Sequence, residues 1–483
     1  MPLTADPPPY LPEPGFHDEA IAPDGSLRPE ADASVRAVLD HGLADLARAV
    51  RDGCDAAGVG FAGADGDGGF AVDPVPRVIG AAEWTALEAG LIQRVLALNA
   101  FVADVYGERA IVAAGAVPAR VIESVSLLEP RALGLRPPGG AWIGVAGLDV
   151  VRGADGRFRV LEDNTRTPSG FAYAMAARTA LAGALNVAPE AAPRPLDDAL
   201  DLLAFTLRGA APRDGDPTAA LVTDGSHNSA FWEHRYTAER LGIPLVTAAG
   251  LELRGDRLWL RGDHPRPVDV VYRRTDSSRI DSALGALLIQ PLAAGTLGVV
   301  NCFGTGVADD KLVHAYVETM VRFYLGEEPL VPSVRTFDLA APEALAEALE
   351  RIGELVVKPR AGSGGEGVVI GPHAEPRTIA ETREAVAEDP SAYVAQELVV
   401  LSTHPTVVDG RLEPRHVDLR PFVFLGADGE ARVLPGGLTR VALSAGALVV
   451  NSSQNGGAKD TWVSGPAAPA LRDRLRRSQR VDS

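Results

Sequence analysis

Leu355-Val-Val-Lys358-Pro-Arg-Ala-Gly362-Ser363-Gly364-Gly365-Glu-Gly367-Val-Val-Ile370 decides how the rest of this 483-residue chain is read. Gly362, Gly364 and Gly367 satisfy a G-x-G-x-x-G spacing, a short pattern that carries meaning only in context. In a dinucleotide-binding fold the pattern opens a helix, whereas here Val368-Val369-Ile370 followed by Gly371-Pro372 reads as a second strand. A Walker loop would carry its lysine after the glycines, and Lys358 precedes them. What remains is strand, flexible loop, strand. Glycines let successive backbone N–H groups turn around an anion, and a lysine on the feeding strand adds positive charge beside it. The alternative is an ordinary glycine-rich hairpin. Four glycines within six residues, just after a strand lysine, favour a phosphate loop.

Towards the N-terminus, residues 141–151 and 157–164 read as a hairpin, with the Asp-Gly turn signal in Gly153-Ala154-Asp155-Gly156. A period of two puts Glu162 and Asn164 on one face, and a four-residue turn sets Asp149 roughly opposite Glu162. Two carboxylates and an amide oxygen are the hard donors that Mg²⁺ accepts when water and nucleotide phosphates fill the remaining positions. Asp and Asn are equally common in a polar turn beside a solvated strand, and the hairpin alone leaves the two readings even.

Downstream, Tyr393-Val-Ala-Gln396-Glu397 ends a strand with an amide and a carboxylate suited to an adenine amino group or a ribose, or simply to an exposed strand end. Arg420 and Arg440 sit on strand-like segments where a guanidinium can clamp transferring phosphate, although each alone is more often a surface salt bridge. Nucleophilic and zinc chemistry find little support. There is no G-x-S-x-G, neither Cys54 nor Cys302 has a histidine pattern nearby, and the nine histidines are scattered.

Composition narrows the partners. With 46 basic against 64 acidic residues the net charge is −18, which disfavours nucleic acid and anionic membranes and points to small ligands. Only three of the basic residues are lysines, Lys311, Lys358 and Lys459. Two cysteines cannot make a disulfide framework, which fits a reducing cytoplasm. Along the chain, 1–30 is expected to be an exposed, disordered arm, 31–215 a helical region carrying the hairpin, 216–330 an open α/β layer, 331–465 a sheet-rich lobe, and 466–483 a basic tail. The uncharged run 282–307 is long enough to suggest a membrane span, but Pro291 and its glycines make it a buried helix followed by a strand from Gly298.

The order of these pieces, together with Leu161-Glu162-Asp-Asn164-Thr-Arg166-Thr-Pro168-Ser169-Gly170, Asp309-Asp310-Lys311, Asn301-Cys-Phe-Gly304, Leu438-Thr-Arg440 and Gly456-Gly457-Ala-Lys459-Asp460-Thr-Trp462, resembles a circularly permuted ATP-grasp protein of type 2. It is similar also to the ligase domain of glutathionylspermidine synthetase, and covers roughly 95–465. The carboxylate and Glu-x-Asn motif that normally follows the arginines here precedes Lys311 by about 150 residues. The resemblance implies an α/β ATP-grasp fold with α+β lobes, ATP and Mg²⁺ as cofactors, and ligation of a small-molecule or peptide carboxylate to an amine through an acyl phosphate. It makes Asp149, Glu162 and Asn164 metal ligands. Lys311, Lys358 and the loop Gly362, Ser363, Gly364, Gly365 and Gly367 become phosphate contacts, and Gln396 and Glu397 adenine and ribose contacts. Arg440, Arg420 and Lys459 become catalytic candidates, and Arg152, Arg166, Ser169, Arg273 and Arg274 substrate candidates. A silent ATP-binding scaffold with a protein partner is the competing expectation; a kinase-like transferase ranks below both, for want of H-R-D and D-F-G.

Overall fold

The computed structural model describes residues 10–60, 70–276, 279–362, 366–444, 446–447 and 456–465. Its centre is a nine-stranded sheet that gathers segments far apart in sequence. In order, Val72–Ile79, Gly457–Val463, Leu438–Val441, Arg411–Arg420, Val145–Arg152, Phe422–Leu425 and Ala431–Val433 lie side by side, with Thr403–Val408 on Arg411–Arg420 and Phe158–Asn164 on Val145–Arg152. Val145–Arg152 is buried at every position, as a strand flanked by others and covered on both faces must be. The expected hairpin is therefore present, and it belongs to the same sheet as residues 403–463.

Three smaller sheets surround it. Gly298–Val300, Val270–Arg274, Ala219–Thr223 and Leu245–Val246 form a parallel sheet, the expected α/β layer. Leu251–Arg254, Arg257–Leu260 and Arg266–Val268 form an antiparallel meander. Thr336–Phe337, Tyr393–Glu397, Leu355–Pro359 and Val369–Ile370 form an antiparallel sheet with its own core, shared with the helices Pro342–Glu350 and Pro376–Glu388. The span 331–465, expected as one lobe, thus divides between this sheet and the nine-stranded one.

Two further expectations are corrected. Residues 10–30 are not an exposed arm: Asp18, Glu19, Ala20 and Ile21 are buried, and Glu19 accepts both Nε and Nη2 of the buried Arg77 at 2.7 and 2.6 Å. The region 31–215, expected to be helical apart from its hairpin, also contains the strand Val72–Ile79, which Pro74 and Pro76 disguise. It lies at the edge of the sheet, where a missing N–H is tolerated, and its register shifts between Asp73 and Arg77. Residues 1–9 and the tail 466–483 fall outside the described residues.

The run 282–307 is the helix Ala283–Ala293, with Pro291 in its last turn, followed by the strand Gly298–Val300. One other helix, Ala81–Val105, is long and apolar enough to cross a membrane by length and composition. Twelve of its residues are buried, and Trp84, Leu91, Val95 and Leu98 are fully enclosed in the largest core cluster.

Candidate functional site

A cleft of about 760 Å³ lies where the nine-stranded sheet, the Leu355–Pro359 sheet and the carboxyl ends of the parallel strands meet. The hairpin supplies one wall. Asp149 pairs directly with Glu162 and Gly147 with Asn164, while a bulge at Leu161 shifts the register beyond. Alternation then points Glu162 and Asn164 into the cleft and Asp163 the other way. Asp163 accepts Nε and Nη2 of Arg94 at 2.6 and 2.7 Å and contacts His314 Nδ1 at 2.7 Å. Burial would raise its pKa, but Arg94 and His314 hold it well below the usual range. The inward residue anchors the strand whose outward residues face the ligand space.

Asp149 is engaged by two guanidiniums. Arg420 donates to it from Nε and Nη2 at 2.6 and 2.9 Å, and Arg440 Nη2 lies 2.9 Å away while also bonding Asp418 at 2.5 Å. Burial opposes ionisation, yet the two arginines pull the Asp149 pKa down to about 2. Asn164 Nδ2 is buried without a hydrogen-bond partner. Among the described residues no three His, Cys, Asp or Glu side chains cluster as a metal cage. The two carboxylates with the Asn164 amide oxygen fit a hard cation that takes most of its oxygens from water and phosphate, as Mg²⁺ does, and the unpaired Asn164 Nδ2 is an N–H donor suited to one of those phosphate oxygens.

The opposite wall carries the lysines. Lys358 Nζ donates to Gln396 Oε1 at 2.5 Å. Burial pushes its pKa down and Lys311 adds to this, while Glu162 and Asp149 oppose it. Lys311, opening the short helix Lys311–His314, donates to Gly362 O at 2.9 Å. Neighbouring Asp310 caps that helix through Leu312 N and holds Arg360 at 3.1 Å. Gly367 has φ +70° and an added Cβ would meet Pro359 at 2.9 Å, so the loop needs glycine there. Ser363, Gly364 and Gly365 lie outside the described residues. Gln396 Nε2 bonds Thr336 Oγ1 at 2.9 Å, and Glu397 is held by Arg351 at 2.8 and 2.9 Å. Val356, Val368, Ile370, Leu398, Val399 and Leu401 give this end an apolar lining that no motif announced.

The substrate candidates separate. Arg166, Ser169 and Arg274 line the cleft, and Arg274 Nη2 bonds Ser169 Oγ at 2.5 Å. Arg273 does not line it: fully buried, it bonds Asn301 O and covers the Phe303 ring. Arg152 also lies elsewhere, between Glu19 and Glu83 and over Phe158. Lys459 is corrected as well. Its ammonium is enclosed in the core, paired with Asp73 and donating to Pro405 O at 2.9 Å.

Several cleft residues were not singled out from sequence. Asp309 takes the N–H and hydroxyl of Thr165 at 2.6 and 2.7 Å, and its pKa is raised to about 6 by burial despite Arg166. Its place beside Lys311 in Asp309-Asp310-Lys311 was the available signal. Asp418 and Asp276 line the cleft too, and only the fold brings them there, with Asn228 and His234 beside them. Asn301 ties the walls together. Its Oδ1 accepts from Gly144 N and Val145 N at 2.8 and 2.7 Å, and its Nδ2 donates to Val145 O and Thr165 O at 2.7 Å.

The family described as circularly permuted ATP-grasp type 2 matches residues 76–442. An uncharacterised protein of Mycobacterium tuberculosis is 42% identical over 481 residues, covering 97% of this chain and 84% of that protein. A Frankia casuarinae protein named, provisionally, glutamate–cysteine ligase 2-2 is 44% identical over 471 residues; the match covers 93% of this chain but 54% of that longer protein. A solved apo structure of a glutathione synthetase-like effector from Globodera pallida has a TM-score of 0.58 over 92% of this chain and 99% of that one, at 12% identity. At that identity the likeness is one of fold.

Proposed function

Because the chain belongs to the circularly permuted ATP-grasp type 2 family, we propose that it is an ATP- and Mg²⁺-dependent carboxylate–amine ligase. The observation that carries the reading is convergence. Glu162 and Asn164 on one strand, Lys311 and Lys358 across the cleft, and Arg420 and Arg440 beside Asp149 come from distant parts of the chain to line one cavity. In this reading Asp149, Glu162 and Asn164 hold Mg²⁺, which would neutralise phosphate charge when bound.

Lys358, Lys311 and the glycine loop hold the phosphates, and the apolar lining with the strand end at Gln396 and Glu397 takes the adenosine. Arg440 and Arg420 face the transferring group. The terminal phosphoryl of ATP moves to a substrate carboxylate oxygen as its bond to ADP breaks. An amine nitrogen then bonds the acyl carbon, phosphate leaves with the electron pair, and the amine proton goes to phosphate or water. Such chemistry asks for positioning and charge neutralisation more than for a protein nucleophile.

Two measurements test this. ATP titrated with and without Mg²⁺ should bind, and pooled carboxylates with pooled amines should release ADP. Binding without ADP in any pool overturns ligation in favour of a nucleotide-binding scaffold, and no binding overturns both. Glu162→Gln should abolish the Mg²⁺ dependence of nucleotide binding while shifting unfolding by no more than about 0.5 kcal/mol, since beyond its strand pairing the Glu162 side chain has no hydrogen bond or ion pair to another described residue.

A further inference from the structure

The cleft extends over the carboxyl ends of the parallel sheet. After Ala219–Thr223 the chain crosses through the helix Phe231–Leu241 to Leu245–Val246 on one side. After Val270–Arg274 it crosses through Ala283–Ala293 to Gly298–Val300 on the other. The two central strands are neighbours whose following loops diverge, the switch point where open parallel sheets hold ligands. Residues at this point, Asn228, His234, Arg274 and Asp276, all line the cleft.

Their chemistry is of two kinds. His234 is 1% exposed, and burial with Arg274 nearby lowers its pKa to about 2, so the ring is neutral. The Thr223 hydroxyl accepts from Gly225 N at 3.1 Å and lies 2.9 Å from His234 Nδ1. Assigning the hydroxyl proton to Nδ1 satisfies both groups and leaves the ring proton on Nε2. No described residue hydrogen-bonds that Nε2, and His234 lines the cleft, so the ring offers an N–H to an oxygen bound there. Asp276 is the opposite case. Its Oδ1 accepts from Asn228 Nδ2 at 2.9 Å, its backbone N–H donates to Asp224 Oδ2 at 2.6 Å, and no Lys or Arg among the described residues pairs with either carboxylate.

We propose that this crevice binds the amine substrate, and that the substrate is an α-amino acid or the N-terminus of a short peptide, its ammonium against Asp276 and its adjacent oxygen on His234 Nε2. The proposal rests on the ligase reading for the word substrate, but the binding it describes does not. A polyamine would meet Asp276 and leave the His234 donor unpaired. A simple carboxylate would satisfy His234 and be repelled by Asp276 and Asp224.

The test is saturation-transfer NMR on the full-length protein with millimolar mixtures of α-amino acids, of dipeptides, and of putrescine with spermidine, with ATP binding measured in parallel. Signals are expected from the first or second mixture, which distinguishes free amino acid from peptide, and not from the third. Asp276→Asn, at an exposed position, should weaken that binding about tenfold, and His234→Phe should weaken it also, with ATP affinity unchanged in both. Polyamine binding alone, no binding in any mixture while ATP binds, or unchanged affinity in Asp276→Asn each overturns the proposal. Failure of ATP to bind overturns the ligase reading instead, and the amine result still stands on its own variant.

Discussion

The strands Leu355–Pro359 and Gly457–Val463 each carry one of the chain's three lysines close to glycines, yet one lysine faces the cleft and the other fills the core. Leu355–Pro359 belongs to a sheet packed on helices along one face. Leu355 and Val357 therefore enter that core, and Val356 and Lys358 line the cleft. Gly457–Val463 is buried at every position, between two strands and under cover on both sides, and its lysine can only seek a buried acid. Scarcity of lysine marks places where a compact ammonium is required. It does not say whether the partner is a ligand or another side chain.

The largest expected effect tests the buried partner. Lys459→Met leaves Asp73 without its cation and should cost about 3–5 kcal/mol in denaturant unfolding, with nucleotide affinity of the folded fraction preserved. Unchanged stability would erase the distinction between the strands. Next, Lys358→Met should lose about 1.5–3 kcal/mol of ATP binding, the worth of a charge-assisted hydrogen bond, without loss of stability. Its pKa is lowered by burial, so the charged form costs stability below that folded pKa, and stability rises as pH climbs towards the unfolded value. Methionine removes that cost. Lys358→Arg should fail to restore binding, because a wide guanidinium does not fit where Lys358 meets Gln396; full affinity in that variant would break the comparison from the other side.

The effect that shrinks to almost nothing at low pH compares the acids of the two regions. Asp73 has Lys459, whereas Asp309 has Arg166 only at 3.5 Å and a pKa raised to about 6. A raised carboxylate pKa means that stability is fullest below the unfolded value of 3.8 and falls as pH rises through 6. Asp309→Asn should therefore raise stability by up to about 3 kcal/mol at pH 8 and by almost nothing at pH 4, read as thermal unfolding at the two pH values.

Much of this was legible in the residues. The Asp-Gly turn and the period of two specified the hairpin closely enough to put Asp149 across from Glu162, and strand–helix alternation announced the parallel layer. Other features were hidden for identifiable reasons. Pro74 and Pro76 concealed a strand because the edge position that excuses them is a tertiary fact. The N-terminal segment looked solvated because its acids were counted without Arg77, 58 residues further on, which takes Glu19 into the core. Arg152 and Arg273 sit in the same motif stretches as residues that reach the cleft, and alternation along a strand sends near neighbours to opposite faces.

The sequence by itself determined the local periodicities, the turn, the glycine loop and the family, since these depend on neighbours along the chain. Only the tertiary structure decided which face of each strand meets the cleft, which charges face one another, and which acids go unpaired. Charge pairing acts through space over a few ångströms, and the pairs concerned, Asp149 with Arg420 and Lys459 with Asp73, join residues 271 and 386 positions apart.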